Sequence, residues 1–143
     1  MPRRASARLA AGLLQQIVDA ARAALPNEAV GLLVGPAYFA EGGAPVRYLA
    51  LANAAGSAYR YALDPQEQLG VWTRLEEDGD VVWAIVHSHV TSTAEPSATD
   101  IELAYYPDSL YLICSLIDTE QPTTRAWSIV DDAVSEVPLT ISS

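Results

Sequence analysis

The alternation of short apolar segments with helical patterns constrains the fold of this chain most. The segment Leu110 to Ile117 is the most apolar of all and predicts a central strand. Val81 to His89 is rich in β-branched residues, and Val30 to Val34 is a short apolar run, so both predict buried strands. Helical patterns occupy residues 10–24 and 65–78. This order of elements predicts an α/β or α+β domain with one mixed sheet covered by helices.

The second helix has clear signals at both ends. Asp64 is a plausible N-cap, Pro65 suits the first helical position, and Gly79 is expected to close the helix. Its predicted buried stripe consists of Leu69, Trp72 and Leu75. The remaining predictions are a turn or hairpin loop at 35–45, strands at 46–52, 123–130 and 133–139, and a short helix at about 98–105.

Length and composition limit the classes of protein that fit. A chain of 143 residues predicts one domain, spanning 1–143. The formal net charge is −10, and the eight basic residues are scattered arginines, which argues against a nucleic acid partner. The stretch from Met-Pro-Arg-Arg to Leu25 is too polar for a signal peptide or a membrane span. The single cysteine, Cys114, is expected to be a buried core thiol, and the protein is expected to be cytoplasmic.

The only two histidines of the chain stand two residues apart at the end of a predicted strand. Side chains at positions i and i+2 of a strand face the same side, so His87 and His89 should project together. Such a pair suits a Zn²⁺ ion, which takes histidine nitrogens as ligands at about 2.0–2.1 Å. The pair alone is weak evidence, because histidines are common both in protein cores and on surfaces.

A serine and an aspartate follow in the sequence, three residues apart. If the intervening loop folds back, Asp100 would supply a third, oxygen ligand beside the strand end. Two histidines, one carboxylate and an open position for water describe a catalytic zinc site. Ser97 and Asp100 are also close to a capping box, which explains both residues without any metal. The two interpretations are compatible, because a helix N-terminus favours nearby negative charge.

A catalytic zinc site also needs a base, and Glu28 is the candidate. It lies just after a predicted helix end and just before the predicted strand at Val30. Taken alone, Glu28 is more simply a solvated loop glutamate. Its position after a helix only slightly favours a special role, because carboxylates are mildly unfavourable at helix C-termini.

The combined pattern resembles the motif of the JAB1/MPN/Mov34 metalloproteases, the JAMM family. The motif is His-x-His, seven residues, Ser, two residues and Asp, with an upstream Glu-x-x-Gly-Leu-Leu. The resemblance to short bacterial members covers about residues 9 to 139. It is carried as well by Asn53-Ala54-Ala55, Tyr61 to Gln68, Pro96 to Asp100, Tyr106-Pro107 and Leu110 to Ile113.

The resemblance implies a curved mixed sheet sandwiched by helices, as in cytidine deaminase. It also implies that His87, His89 and Asp100 ligate one zinc ion per chain, with water in the fourth position. Glu28 would take the proton of that water and pass it to the leaving amine. Ser97 would help to hold the oxyanion of the tetrahedral intermediate.

The family further implies hydrolysis of a peptide or isopeptide bond. The substrate would be a ubiquitin-like or sulfur-carrier protein ending in Gly-Gly, from which an amino acid such as cysteine would be released. One alternative is a non-catalytic scaffold of the same fold, whose signature is loss of motif residues; none is lost here. A deaminase-like hydrolase is the other, but that class uses cysteine-rich metal ligation. The oligomeric state is left open.

Two positions depart from the pattern of bacterial relatives. Val90 stands where proline usually follows the second histidine, so the loop 90–96 is expected to be looser. Val30 stands where cysteine is frequent. Neither position is a metal ligand in the resemblance.

Overall fold

A computed structural model describes residues 5–143. Met-Pro-Arg-Arg, at the start of the segment predicted to be neither signal peptide nor membrane span, lies outside the described residues. No helix in the described range is long and apolar enough to cross a membrane.

A six-stranded mixed sheet forms the centre of the structure. Its strands, in spatial order, are β3 (Arg47–Leu51), β2 (Val30–Gly35), β4 (Val81–His89), β5 (Leu110–Ser115), β6 (Thr123–Val130) and β7 (Ala133–Val137). Only β4 and β5 run parallel, and the other neighbours are antiparallel. Two further strands, β1 (Ala7–Ala10) and β8 (Leu139–Ser142), pair with each other in parallel as a small separate sheet.

Helices cover both faces of the large sheet. The helix α1 (Ala11–Ala24) buries Ile17 and Ala21 against one face, together with the small sheet. The helix α2 (Pro65–Asp78) packs Leu75 against the other face. A short helix, α3 (Ala98–Glu102), follows β4, and one 3-10 turn spans Phe39–Glu41. The mixed α/β architecture predicted from the sequence is therefore confirmed.

The strand β4 lies in the middle of this arrangement and shows why its sequence is so apolar. Every residue from Val82 to His89 is buried, because each side of the strand faces a packed layer. Ala84 and Val86 point toward α1, whereas Ile85 points toward α2. His87 continues the α2 side, and Ser88 continues the α1 side, in keeping with the period of two along a strand.

The structure differs from the predictions in the buried face of α2 and in the ends of two elements. Leu69 is 70% exposed rather than buried, and Trp72 is half-buried. The inward-facing residues of α2 are Leu75 and, three and four positions before it, Trp72 and Val71. Leu69 does not lie on this face of the helix. The predicted helix at 98–105 already ends at Glu102, and β5 ends two residues before Ile117, which is 61% exposed.

The C-terminal segment differs most from its prediction. Instead of one strand at 133–139, β7 ends at Val137 and β8 begins at Leu139. Pro138 separates them, since a proline has no N–H to continue the ladder. The backbone oxygen of Pro138 accepts a hydrogen bond from the Ala7 N–H at 2.8 Å, which starts the pairing of β1 with β8.

Candidate active site

The carboxyl end of β4 presents both histidines on the α2 face of the sheet. His87 lies opposite Val30 of β2 and Ile113 of β5, and both histidine side chains are almost completely buried. Their Nε2 atoms are 3.2 Å apart. The prediction that His87 and His89 project together is confirmed.

The first turn of α3 brings a carboxylate to the same point. The Oδ2 atom of Asp100 lies 3.2 Å from Nε2 of His87 and 3.0 Å from Nε2 of His89. The Ser97 hydroxyl accepts a hydrogen bond from the Asp100 N–H, and Oδ2 of Asp100 accepts one from the Ser97 N–H at 2.9 Å. The capping box and the three-residue cluster therefore coexist, because one oxygen of Asp100 takes part in both.

The geometry of this cluster suits a small divalent cation. Ligands at about 2.0–2.1 Å from a tetrahedral zinc ion lie about 3.3 Å from one another. The three atoms here are separated by 3.0 to 3.2 Å. The Nδ1 atom of His89 lies 2.7 Å from the backbone oxygen of Thr93, which places its proton on Nδ1 and leaves Nε2 free as a ligand. His87, His89 and Asp100 thus offer three donor atoms in an arrangement that could hold a metal ion.

The charge states of His87 and Asp100 favour the same conclusion, whereas His89 would release a proton on binding a cation. Burial lowers the pKa of His87, so that its imidazole is neutral. Burial opposes the charged form of Asp100 as well, but hydrogen bonds with both histidines outweigh it and hold the pKa of this carboxyl well below its usual range. For His89, burial is outweighed by the contacts with Asp100 and Thr93, which raise the pKa of this imidazole. A carboxylate and a neutral imidazole are the forms that bind a cation.

The strand pairing brings Glu28 to the same face. The antiparallel register of β2 and β4 sets Val30 opposite His87. Continued by two residues, the same register sets Glu28 opposite His89 and on the same side of the sheet. A hydrogen bond of 3.0 Å from the Ser88 N–H to the oxygen of Ala29 shows that the two segments remain adjacent there.

The carboxylate of Glu28 is buried and lacks a full set of partners. The residue is only 3% exposed, and within residues 5–143 its Oε1 atom has no hydrogen-bond partner. Burial raises the pKa of Glu28 to about 7; His89 lowers it and Asp100 raises it by smaller amounts. The interpretation of Glu28 as a solvated loop residue is wrong. A carboxyl group with a pKa near neutrality can both accept and release a proton.

Ser97 occupies the rim of the site. Its residue is exposed, and its Oγ atom accepts the hydrogen bond from the Asp100 N–H at 3.0 Å. A serine hydroxyl can accept one hydrogen bond and still donate another, so its proton is free for a ligand.

The loop at 90–96 carries a series of anchoring contacts despite the replacement of proline by Val90. The hydroxyl of Ser115 donates to the oxygen of Ser92 at 2.6 Å, and the indole N–H of Trp127 donates to the oxygen of Ala94 at 2.9 Å. Arg125 also pairs with Glu95 at 3.0 Å. The oxygen of Thr93, between these anchors, is the one that contacts His89.

The structure also shows residues near the site whose roles sequence reasoning did not recognise. The ring of Tyr61 packs on that of His87, with centroids 4.7 Å apart. The side chain of Asn53 donates to the backbone oxygen of Glu28. Both residues lie in segments that resemble bacterial family members, but nothing in their local spacing indicates what they contact. Cys114, which was predicted to be a core thiol, is buried, and so are Trp83 and Trp127.

Known proteins are similar to this chain in sequence and in fold. Residues 10–130 match the family of prokaryotic homologues of the JAB domain. The CysO-cysteine peptidase of Mycobacterium tuberculosis is 40% identical over 132 residues, covering 92% of this chain and 88% of that protein. The desampylase of Haloferax volcanii is 46% identical over 55 residues, which are 38% of this chain and 40% of that protein.

Solved structures extend the comparison. Protein DSY2949 from Desulfitobacterium hafniense has a TM-score of 0.82 and 34% sequence identity, covering 94% of this chain and 92% of that one. The JAB1/MPN domain protein AF2198 from Archaeoglobus fulgidus has a TM-score of 0.57 and 20% identity, with coverage of 93% and 97%, and shows the shared fold.

The sheet, the buried His-His-Asp cluster and the similarity to a named peptidase define a metal-dependent peptidase of the JAB1/MPN class. The chain belongs to the family of prokaryotic homologues of the JAB domain.

Proposed function

We propose that this protein is a zinc peptidase that cleaves after the C-terminal glycine of a ubiquitin-like or sulfur-carrier protein. The observation that carries the proposal is the convergence of three ligand atoms within 3.2 Å of one another, on the sheet face that also holds Glu28. Relatives named CysO-cysteine peptidase and desampylase support this substrate class. The adduct would be an amino acid such as cysteine, or a protein amine.

His87, His89 and Asp100 would hold one zinc ion per chain. Zinc suits two imidazoles in their neutral form and one carboxylate in a tetrahedral arrangement. When bound, it would supply a Lewis acid that polarises the scissile carbonyl and lowers the pKa of a water molecule toward neutrality.

Glu28 would be the base of the reaction. Its carboxylate would take a proton from the attacking water and later deliver that proton to the leaving amine. Efficient proton transfer needs a group whose pKa lies near the working pH, and burial raises the pKa of Glu28 to about 7. The unpartnered Oε1 atom is the acceptor that this role requires.

Ser97 would donate its hydroxyl proton to the carbonyl oxygen as negative charge develops there. Its lone pair already holds the Asp100 N–H at 3.0 Å, which fixes the Oγ atom beside the ligands. Donors held in place before the reaction stabilise an oxyanion without a cost of reorganisation.

We further propose that residues 1–143 act as one catalytic domain and that the protein works in the cytoplasm. The buried free thiol of Cys114 fits a reducing compartment. A non-catalytic scaffold would have no need of a buried carboxylate that lacks a partner, since such a group costs stability.

The test uses a sulfur-carrier protein that carries one cysteine in peptide linkage after its terminal Gly-Gly. Incubation with the purified enzyme should release the cysteine, seen as the loss of one cysteinyl residue from the intact mass. A chelator should stop the release, and added zinc should restore it.

The matched variant is Glu28→Gln, which should retain zinc and lose turnover by about 10²-fold or more. Glu77→Gln, on the exposed end of α2, is the control and should leave release unchanged. Full activity of Glu28→Gln would overturn the assignment of the base, and release that persists without metal would overturn the proposal as a whole.

A further inference from the structure

One asparagine outside the metal cluster has all of its hydrogen-bonding capacity in use. The amide nitrogen of Asn53 donates to the oxygen of Glu28 at 3.0 Å and to the oxygen of Arg60 at 3.1 Å. Its Oδ1 atom accepts from the N–H groups of Ala55 and Ala62, both at 3.0 Å. A carboxamide offers two donors and two acceptor sites, so this side chain is saturated by backbone groups.

The backbone around Glu28 depends on such contacts because it lies outside the ladder of the sheet. The helix α1 ends at Ala24 and β2 begins at Val30, so Glu28 is in the connection between them. Its N–H donates to the oxygen of Ser57 at 2.8 Å. Its oxygen accepts from Asn53, and both contacts come from the segment 53–62, which folds over the end of the sheet.

The carboxylate itself contributes little to its own placement. Its Oε1 atom has no hydrogen-bond partner in the part of the chain that the structure describes, and the group is buried. The position of this oxygen is therefore set by where the backbone carries it. Among the described contacts, only one other side chain holds the backbone next to Glu28. It is that of Ser88, whose Oγ accepts a hydrogen bond from the Ala29 N–H at 2.7 Å.

Asn53 also determines the position of a second group at the site. The two backbone atoms that it holds at Arg60 and Ala62 lie on either side of Tyr61. The ring of Tyr61 packs on His87 at a centroid distance of 4.7 Å. A single side chain thus joins the backbone of the candidate base to the segment that covers a metal ligand.

From these contacts we infer that Asn53 is a positioning residue: it holds the backbone of Glu28 so that the unpartnered carboxylate stays at the reacting water. The inference rests on the proposed role of Glu28. Displacement of a catalytic group by about 1 Å can lower the rate by about 10²-fold, so loss of this contact should be visible in turnover.

The informative substitution is Asn53→Asp. An aspartate keeps the oxygen that accepts from Ala55 and Ala62, but it replaces the donor with an oxygen that repels the carbonyl of Glu28. On the cysteine adduct of the sulfur-carrier protein, kcat should fall about tenfold to a hundredfold, with KM and zinc content unchanged. Crystal structures of the zinc-loaded proteins should show the Glu28 carboxylate displaced in the variant.

The matched control is Asn27→Asp. It adds the same charge next to Glu28, and in the part of the chain that the structure describes the Asn27 side chain makes no hydrogen bond. This variant should therefore keep kcat within about twofold, as expected of a change that removes no contact.

A double substitution separates positioning from general damage. If Asn53 acts through Glu28, adding Asn53→Asp to Glu28→Gln should lower the residual rate by less than about twofold, because the effects of coupled residues are not additive. An unmoved Glu28 carboxylate in the Asn53→Asp crystal, loss of zinc in that variant, or a full second loss of rate in the double variant would each overturn the inference. If the wild-type protein cleaves no adduct, the proposed function fails, whereas the two crystal structures still decide whether Asn53 holds Glu28.

Discussion

Two loops border the site, and they are held in different ways. The metal-side loop, residues 90–97, connects β4 to α3 and has separate anchors on the neighbouring strands at Ser92, Ala94 and Glu95. The base-side loop, residues 53–62, is held largely by the one carboxamide of Asn53. The metal-side loop therefore has several separate anchors, whereas the backbone oxygen of Glu28 is held by the single side chain of Asn53.

This difference separates two properties of the protein. Contacts of the metal-side loop reach His89 through the oxygen of Thr93, so they should influence metal affinity. The contact of Asn53 in the base-side loop reaches the backbone of Glu28 and none of the three ligand atoms directly, so it should influence turnover. Substitutions in the metal-side loop should then change the affinity for zinc, whereas substitutions in the base-side loop should change kcat.

The largest effect is expected at the carboxylate ligand. Asp100→Ala removes the oxygen that lies within 3.2 Å of both histidine nitrogens, leaving two ligands from the protein. Metal and peptidase activity should be lost together, as measured by elemental analysis and by adduct cleavage. Asp108→Ala, an exposed residue beyond α3, is the control and should keep both. Retention of a full equivalent of zinc by Asp100→Ala would remove this residue from the ligand set.

A smaller effect is expected at the anchor of the metal-side loop. Trp127→Phe keeps an aromatic ring but deletes the N–H that donates to Ala94, so zinc affinity should fall about tenfold, a typical result for an outer contact of a metal site. Competition with a chromophoric chelator measures this, and kcat at saturating zinc should hardly change.

Trp83→Phe is a close control for this experiment. It also deletes an indole hydrogen bond to a backbone oxygen, here that of Gly43 at 2.8 Å, but at a remote loop. Zinc affinity should be unaffected by this change. Arg125→Gln, which removes a partly exposed ion pair with Glu95, should lower affinity by less than about twofold, since such pairs contribute little. Equal losses in all three variants would mean that the loop anchors are not specific to the metal.

The smallest effect concerns the stability of the metal-free protein. Burial raises the pKa of Glu28 from its ordinary value of 4.5 to about 7. Between these values the folded state binds more protons than the unfolded state, so the free energy of unfolding falls as the pH rises from 4.5 to 7. Glu28→Gln should therefore melt at a temperature a few degrees above wild type at pH ~8, with the difference shrinking toward pH ~4.

Thermal melts in the presence of chelator measure this difference. Glu77→Gln serves as the control, because Glu77 is exposed and its replacement should change the melting temperature only slightly. A Glu28→Gln difference that does not change with pH would contradict the raised pKa. That result would also weaken the role of Glu28 as the base to which the contact of Asn53 leads.

Local features of the sequence predicted the central elements accurately. The strand Val81–His89 has the bounds that were predicted, because its β-branched run is continuous. Helix α2 begins and ends where Asp64 and Gly79 indicated, since caps act on backbone groups within one turn. The small sheet of β1 and β8 was missed, because its strands are four residues each and pair across almost the whole chain.

In the candidate site as well, local spacing predicted some features, and contacts between distant segments decided others. His87 and His89 could be paired from spacing alone, and Ser97 with Asp100 could be identified as a cap. The approach of Glu28 to the histidines was implied only by family resemblance, because 59 residues separate Ala29 from its partner Ser88. No local pattern indicated that Asn53 would hold the backbone of Glu28.

The sequence by itself therefore determined which ligand atoms the chain offers and which neighbours share a face, because strand and helix geometry repeats over a few residues. Only the tertiary structure decided that Val30 lies opposite His87, which carries Glu28 to the metal cluster. It also decided that this carboxylate is buried without a full set of partners. Such facts depend on the packing of distant segments, and the free energy of that packing is not encoded in any short stretch of residues.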